Sequence, residues 1–191
     1  VQVIQIIFKI IASKAIAILL GPVGMGVNTL LLSTIGLISN LTNFGLGTSA
    51  VKNVSSAKAT GDELRVAEIV FVLRRLVWIT GLLGTVLVFV LSPYLSEITF
   101  GHKDYTLAFR WISISLLINQ LSSGQIVVLQ GLRKLKYLAN AGVTGSFAGL
   151  IISIPLYYFW GIDGIVPAII ATSIANLFLS CYFSGKVHLQ E

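Results

Sequence analysis

The chain contains six apolar runs, each close to the length that a helix needs to cross a lipid bilayer. About 20 apolar residues span the hydrocarbon, and a backbone that crosses lipid must satisfy its own amides, as a helix does. Only 10% of the 191 residues are charged and 55% are hydrophobic, which excludes an ordinary soluble domain. We therefore predict an all-α fold, a polytopic transmembrane helical bundle. Its six predicted spans are residues 2–20, 27–51, 70–92, 106–130, 138–160 and 165–184.

The basic residues are distributed unevenly between the two ends of these spans. Of the 13 Lys and Arg residues, only Lys103 and Arg110 lie on one side of the alternating scheme. Most of the others lie on the opposite side: Lys52, Lys58, Arg65, Arg74, Arg75, Arg133, Lys134, Lys136 and Lys186. Short loops rich in Lys and Arg stay in the cytoplasm, so we expect both termini of this segment to be cytoplasmic. Because this positive charge lies between apolar runs rather than on a soluble face, no nucleic-acid partner is expected.

Polar residues follow one helical face of the second span. This stripe consists of Thr29, Ser33, Gly36, Asn40, Asn43 and Gly47, and the fourth span carries a shorter one of Ser115, Asn119 and Ser122. Small and amide residues commonly hold membrane helices together, but they also line water-filled cavities. The stripes are therefore interpreted either as packing surfaces or as the wall of a cavity. For Gly142, Gly145 and Gly149 we predict close helix packing.

Two lysines lie inside the first span. Lys9 shares a helical face with Gln5, and Lys14 lies about 140° around the helix from it. A cation within a span either extends its ammonium group toward the headgroups or faces the interior of the bundle. No Asp or Glu lies well inside any span, so an anionic ligand is the expected partner of these lysines.

The groups that intramembrane catalysis requires are missing from the spans. His102 and His188 lie outside them, and Cys181 is the single cysteine. Metal sites need several converging ligands, and acid–base catalysis needs a titratable group beside the reacting bond. We therefore expect neither an enzyme nor a bound metal or cofactor.

Four short segments resemble a known family. The segment from Lys14 to Gly26, KAIAILLGPVGMG, and the segment from Asn43 to Lys52, NFGLGTSAVK, are similar to the ends of the first two spans of the O-antigen flippases (Wzx type). Phe100-Gly101 with Asp104-Tyr105, and the segment 130–134 (QGLRK), resemble later connectors of that family. It forms the polysaccharide transporter branch of the multidrug/oligosaccharidyl-lipid/polysaccharide exporter superfamily.

The resemblance implies translocation of an undecaprenyl-diphosphate-linked oligosaccharide across the bacterial inner membrane by alternating access. Lys14 matches the family's basic position before the Gly-Pro turn, and Lys52 matches a basic residue at the cytoplasmic mouth. Lys9 has no counterpart. Cations would lower the cost of moving the diphosphate through lipid, and a polar stripe would bind sugar hydroxyls. The predicted substrate-binding residues are Lys14, Lys9, Lys52, Asn40, Asn43, Ser33 and Asn119.

The family has two six-span lobes, so we interpret residues 1–191 as a single six-helix unit corresponding to the amino-terminal lobe. A second lobe, or a second copy of this chain, is therefore an expected partner, together with membrane lipids and polysaccharide polymerase proteins. Two alternatives remain at this stage. One is a multidrug exporter of the same superfamily, and the other is a non-transporting scaffold subunit of a polysaccharide assembly complex.

Overall fold

The computed structural model describes residues 2–43, 45–61 and 63–188, and all regular elements within these ranges are helical. The expected all-α fold is therefore confirmed for this part of the chain. The helices are α1 (Gln2–Asn43), α2 (Leu46–Ala59), α3 (Glu63–Phe100), α4 (Thr106–Gly131), α5 (Leu135–Trp160) and α6 (Ile165–His188), with a 3₁₀ turn at Gly161–Gly164 between the last two.

Four helical stretches are long and apolar enough to cross a membrane, whereas six separate spans were predicted. They are Val3–Asn43, Glu63–Phe100, Thr106–Gly131 and Leu135–Lys186. The first predicted span and residues 27–43 of the second lie in α1, while the last two predicted spans are joined through the 3₁₀ turn. The predicted connectors at 21–26 and 161–164 contain apolar residues such as Val23 and Ile162, and helical geometry extends into both of them.

The long helix α1 is interrupted at Gly21. This residue has φ 68° and ψ −172°, far from helical values, and Pro22 follows it. The two parts of α1 have different neighbours. Before Gly21, Phe8 lies against Phe147 of α5, with ring centroids 5.8 Å apart. After Gly21, the Thr34 hydroxyl is 3.3 Å from the Thr99 hydroxyl of α3. Gly21 is therefore the point at which α1 changes its packing partner.

Helices α5 and α6 are antiparallel and closely packed. An added Cβ at Gly145 would collide with the Asn176 side chain, and one at Gly149 would lie 3.1 Å from Thr172. Because the residue numbers rise in one helix as they fall in the other, the chain reverses between them. The close packing predicted for Gly145 and Gly149 is thus confirmed, while the close neighbour of Gly142 is Gln5 of α1.

Helix α3 is longer than its predicted span and contains Pro93. Proline has no amide hydrogen to donate to the carbonyl four residues earlier, which is that of Phe89. The Ser92 hydroxyl donates to this Phe89 carbonyl at 2.9 Å. The carbonyl therefore keeps a hydrogen bond, and the helix continues to Phe100 where the sequence had indicated a loop from residue 93 onward.

Residues 46–59 form the separate helix α2, although a span ending at Val51 and a connector from Lys52 had been predicted. Ala50, Val54 and Ala57 are buried and recur at the spacing of one helical face. They pack at the end of α4, where Val54 lies against Gly131. Because polar residues lie between these buried positions, the sequence had indicated a connector rather than a short amphipathic helix.

Two apolar clusters stabilise opposite ends of the bundle. One includes Leu31, Phe109, Ile112 and Ile165 near the start of α4. The other includes Val54, Leu73, Val128 and Leu129 near its end. Because lipid tails are as apolar as these side chains, the clusters hold the helices together through close van der Waals packing.

We expect Gly21→Ala to destabilise the fold, because the backbone region that Gly21 occupies is essentially restricted to glycine and costs other residues about 1–3 kcal/mol. Nothing lies within 4 Å of an added Cβ there, so the effect would come from the backbone alone. Thermal unfolding of the purified protein in detergent measures it. Gly26→Ala is the matched control, since Gly26 also has open space but no positive φ. Equal stability of the two variants would contradict the role assigned to Gly21.

Candidate functional site

A polar cavity of about 530 Å³ lies between α1, α4, α5 and α6. Apolar residues such as Phe8, Ile16 and Ile126 form part of its wall. The polar lining consists of hydroxyl and amide side chains together with one lysine, and it includes Gln5, Lys9, Asn119, Ser122, Ser123, Ser146, Ser153, Tyr157, Thr172, Asn176 and Ser180. A cavity of this composition within apolar helices can hold a polar ligand.

Small residues on α5 form one wall of the cavity. Gly142, Gly145 and Gly149 all line the cavity, and without side chains they allow Gln5 of α1 and Asn176 of α6 to approach closely. The Ser146 hydroxyl donates to the Gly142 carbonyl of its own helix at 2.8 Å. Its oxygen keeps lone pairs that can accept a hydrogen bond from a ligand hydroxyl.

The α6 wall is connected to its neighbours by hydroxyl pairs. The Ser122 and Ser180 hydroxyls are 2.9 Å apart, and those of Ser153 and Thr172 are 3.3 Å apart. These pairs hold α4 and α5 against α6. A ligand hydroxyl could exchange with either pair without leaving a buried polar group unsatisfied.

Lys9 is the charged residue of the cavity lining. Its side chain is exposed, and no Asp or Glu belongs to the described residues that form this lining. The ion pairs seen within the described residues, His102 with Asp104 and Lys103 with Glu97, involve other groups. An ammonium group in this position favours an anionic ligand.

Of the predicted substrate-binding residues, Lys9 and Asn119 line the cavity and the others do not. Lys14, Ser33, Asn40 and Lys52 are exposed elsewhere, and Asn43 is half-buried. The stripe predicted on one face of the second span is divided in the structure, since Gly47 lies in α2 and its other residues lie in α1. Helical spacing also could not indicate which faces meet. Ser33 and Asn40 belong to the polar stripe of the second predicted span. Their exposure is compatible with both earlier interpretations of that stripe, a packing surface and the wall of a cavity.

Asn43 belongs to a hydrogen-bonded network that joins three helices. The Gln120 amide nitrogen donates to the Asn43 side-chain oxygen at 3.0 Å and to the Thr80 hydroxyl at 3.1 Å. The Thr80 hydroxyl in turn donates to the Leu76 carbonyl at 3.0 Å. At this position the packing interpretation of the polar stripe is therefore supported.

Sequence reasoning missed the polar residues of α6. Thr172, Asn176 and Ser180 recur every four residues and line the cavity together. On α5 the cavity residues Gly142, Ser146, Gly149 and Ser153 recur at steps of four, three and four residues. These two stripes were detectable from helical periodicity, but they consist mainly of small residues, which by themselves indicate packing.

Comparison with protein families gives one match, to a family described as polysaccharide biosynthesis protein, over residues 1–188. No curated protein and no solved structure matches the chain significantly. The family match spans nearly the whole chain, and the four apolar helical stretches agree with a multi-pass membrane protein. The chain therefore belongs to the polysaccharide biosynthesis protein family.

Proposed function

We propose that this protein translocates an undecaprenyl-diphosphate-linked oligosaccharide, an O-antigen or related surface polysaccharide unit, across the bacterial inner membrane. The observation that carries the proposal is the polar cavity that Lys9 borders within an apolar helical bundle. The family match supports a polysaccharide-related role. In this proposal the protein is a transporter and not an enzyme.

The chemistry of the cavity suits the two parts of such a substrate. A diphosphate loses its hydration when it enters lipid, and a nearby cation offsets part of that cost. Lys9 supplies the cation, while Asn119, Ser123 and Asn176 offer hydrogen bonds for sugar hydroxyls. A cavity for cationic drugs would instead favour acidic residues, so the lysine argues against the multidrug alternative.

We propose six membrane crossings with both termini of the segment in the cytoplasm. Two of the four apolar stretches contain 41 and 52 residues, about twice the length that one crossing needs. Each is interrupted, one at Gly21 and the other at Gly161–Gly164. In this arrangement Lys52 lies at the cytoplasmic mouth, where it can make the first contact with the diphosphate.

The exposed face of α1 is assigned to a second lobe or a second copy of the chain. Lys14, Ser33 and Asn40 are exposed there, and polar groups facing lipid would lack partners. A partner on this face would enclose a central pathway for alternating access. Polysaccharide polymerase proteins are proposed as further partners that receive the translocated unit.

Proteoliposomes that contain the protein as expressed from its own gene test the proposal. A lipid-linked oligosaccharide incorporated into these vesicles should become accessible to an added, membrane-impermeant glycosidase faster than in vesicles without protein. A fluorescent cationic drug in matched vesicles is the comparison. Faster movement of the drug alone would favour the multidrug alternative. Movement of neither compound, with correctly folded protein, would favour the scaffold alternative.

A further inference from the structure

A second cavity, of about 460 Å³, is a groove on the surface between α3 and α4. Its wall is mainly apolar and includes Val86, Phe89, Leu107, Trp111 and Ile114, with Arg110 as its charged residue. It is separate from the polar cavity described above. In a membrane protein, an apolar groove of this kind that opens on the surface is accessible to lipid acyl chains.

The Arg110 guanidinium is held in a defined position. Its Nε donates to the Ser92 hydroxyl at 3.3 Å, and its central carbon lies 5.6 Å from the centre of the Phe89 ring. The Ser92 hydroxyl donates onward to the Phe89 carbonyl that Pro93 leaves unpaired. These contacts hold the guanidinium against α3, beside the groove.

The two terminal amino groups of Arg110 remain available. Within residues 2–43, 45–61 and 63–188, the hydrogen bond to Ser92 is the one that Arg110 makes through its side chain, and no carboxylate forms an ion pair with it. A guanidinium fork of this kind matches the geometry of a phosphate and can bind two of its oxygens. The exposed guanidinium can therefore bind an anion.

The depth of Arg110 indicates where that anion comes from. Arg110 is four residues after Thr106, the start of α4, so it lies about 6 Å along the helix from its end. About 20 residues cross the hydrocarbon and α4 contains 26, so a residue this close to the end of α4 is expected near the boundary between headgroup phosphates and acyl chains. Trp111, which is exposed beside it, is a residue type enriched at that boundary.

We propose that this groove binds an anionic phospholipid of the phosphatidylglycerol type. The phosphate contacts the terminal amino groups of Arg110, and one acyl chain lies along Phe89, Val86 and Ile114. The site is independent of oligosaccharide translocation, so it stands whether or not the protein moves the proposed substrate. The lipid would fill the space between α3 and α4 and neutralise a cation at the membrane boundary.

Quenching of Trp111 fluorescence by lipids with brominated acyl chains tests the site. Trp78→Phe and Trp160→Phe together leave Trp111 as the single tryptophan. In this background we expect brominated phosphatidylglycerol to quench at a roughly fivefold lower mole fraction than brominated phosphatidylcholine, the selectivity that one basic residue near the membrane surface can supply. Equal quenching by the two lipids would overturn the proposal.

Two further variants in the same background assign the selectivity to Arg110. Arg110→Gln should remove it. Lys103→Gln makes the same change in net charge but lies outside the groove, where Lys103 is 3.5 Å from Glu97, and it should keep the selectivity. Arg110→Lys, which retains the charge, should keep part of it even if the glutamine variant folds poorly. Selectivity that survives in folded Arg110→Gln would show general attraction to a basic protein instead.

A competition experiment distinguishes the two lipid classes. If undecaprenyl phosphate displaced the brominated lipid and unlabelled phosphatidylglycerol did not, the groove would be assigned to the substrate lipid and the proposal would be overturned.

Discussion

Replacing Lys9 with glutamine is expected to lower polysaccharide export by about tenfold or more, because hydrogen bonds to charged groups contribute about 1.5–3 kcal/mol. Lys9 lines the polar cavity, and the described residues of that lining include no carboxylate, so its charge is available to a diphosphate. Lys9→Arg should retain much of the export, since it keeps the charge and the hydrogen-bond donors. The measurement is surface polysaccharide display in cells that depend on the variant, with blotting for protein abundance.

Two comparison variants make this result specific. Lys103→Gln removes a charge from an exposed ion pair with Glu97 and should leave display unchanged. Lys14→Gln tests the role of the second intramembrane lysine separately from that of Lys9. Lys14 lies outside the cavity, but it matches the basic position expected from the resemblance to flippases. Loss of export in both lysine variants would place both on the substrate pathway. Normal display from Lys9→Gln at normal abundance would remove Lys9 from the substrate site.

Replacing Gly131 is expected to have a large effect on folding. A Cβ added at Gly131 would lie 2.6 Å from both Cβ and Cγ1 of Val54. Val54 is fully buried in the apolar cluster at the end of α4. The backbone fixes the position of its Cβ, and its β-branched side chain has few χ1 rotamers that could move Cγ1 away. Overpacking of this kind costs about 1–3 kcal/mol and sometimes more, so Gly131→Ala should be destabilised and Gly131→Leu more strongly so.

Thermal unfolding and the yield of monodisperse protein in detergent measure the Gly131 series. Gly36→Ala and Gly36→Leu are the matched controls, because Gly36 is also helical but has nothing within 4 Å of an added Cβ. If the two series behave alike, the contact between α2 and α4 is looser than the structure shows.

The fold class followed from the sequence because hydrophobicity over about 20 residues reports directly on a helix in lipid. The helix bounds followed less well. Pro93 indicated a helix end, but the neighbouring Ser92 hydroxyl replaces the missing hydrogen bond. The polar residues around Val54 indicated a connector, but burial against Gly131 stabilises a helix there. The first outcome depends on a side-chain hydrogen bond within the helix, and the second depends on a contact with a residue distant in the sequence.

The candidate site was predicted only in part, for a geometric reason. Lys9 and Asn119 were recognised by residue type, and both line the cavity. Asn43 was recognised in the same way, yet its side-chain oxygen accepts a hydrogen bond from Gln120. Periodicity gives the direction of a side chain from its own helix axis, whereas a cavity depends on which helices are neighbours and how they are rotated.

The arrangement of α1, α5 and α6 has a consequence for the order of assembly. Gly145 and Asn176 belong to neighbouring helices, so their contact can form as soon as the ribosome has completed α6. Phe8 and Phe147 come from distant parts of the chain, and their contact must wait until α5 has been made. The first helix, with Lys9 on it, therefore enters the bilayer before the α5 wall of its cavity exists. During synthesis its polar face depends on the insertion machinery or on water, and the cavity cannot be enclosed until α5 and α6 have been made.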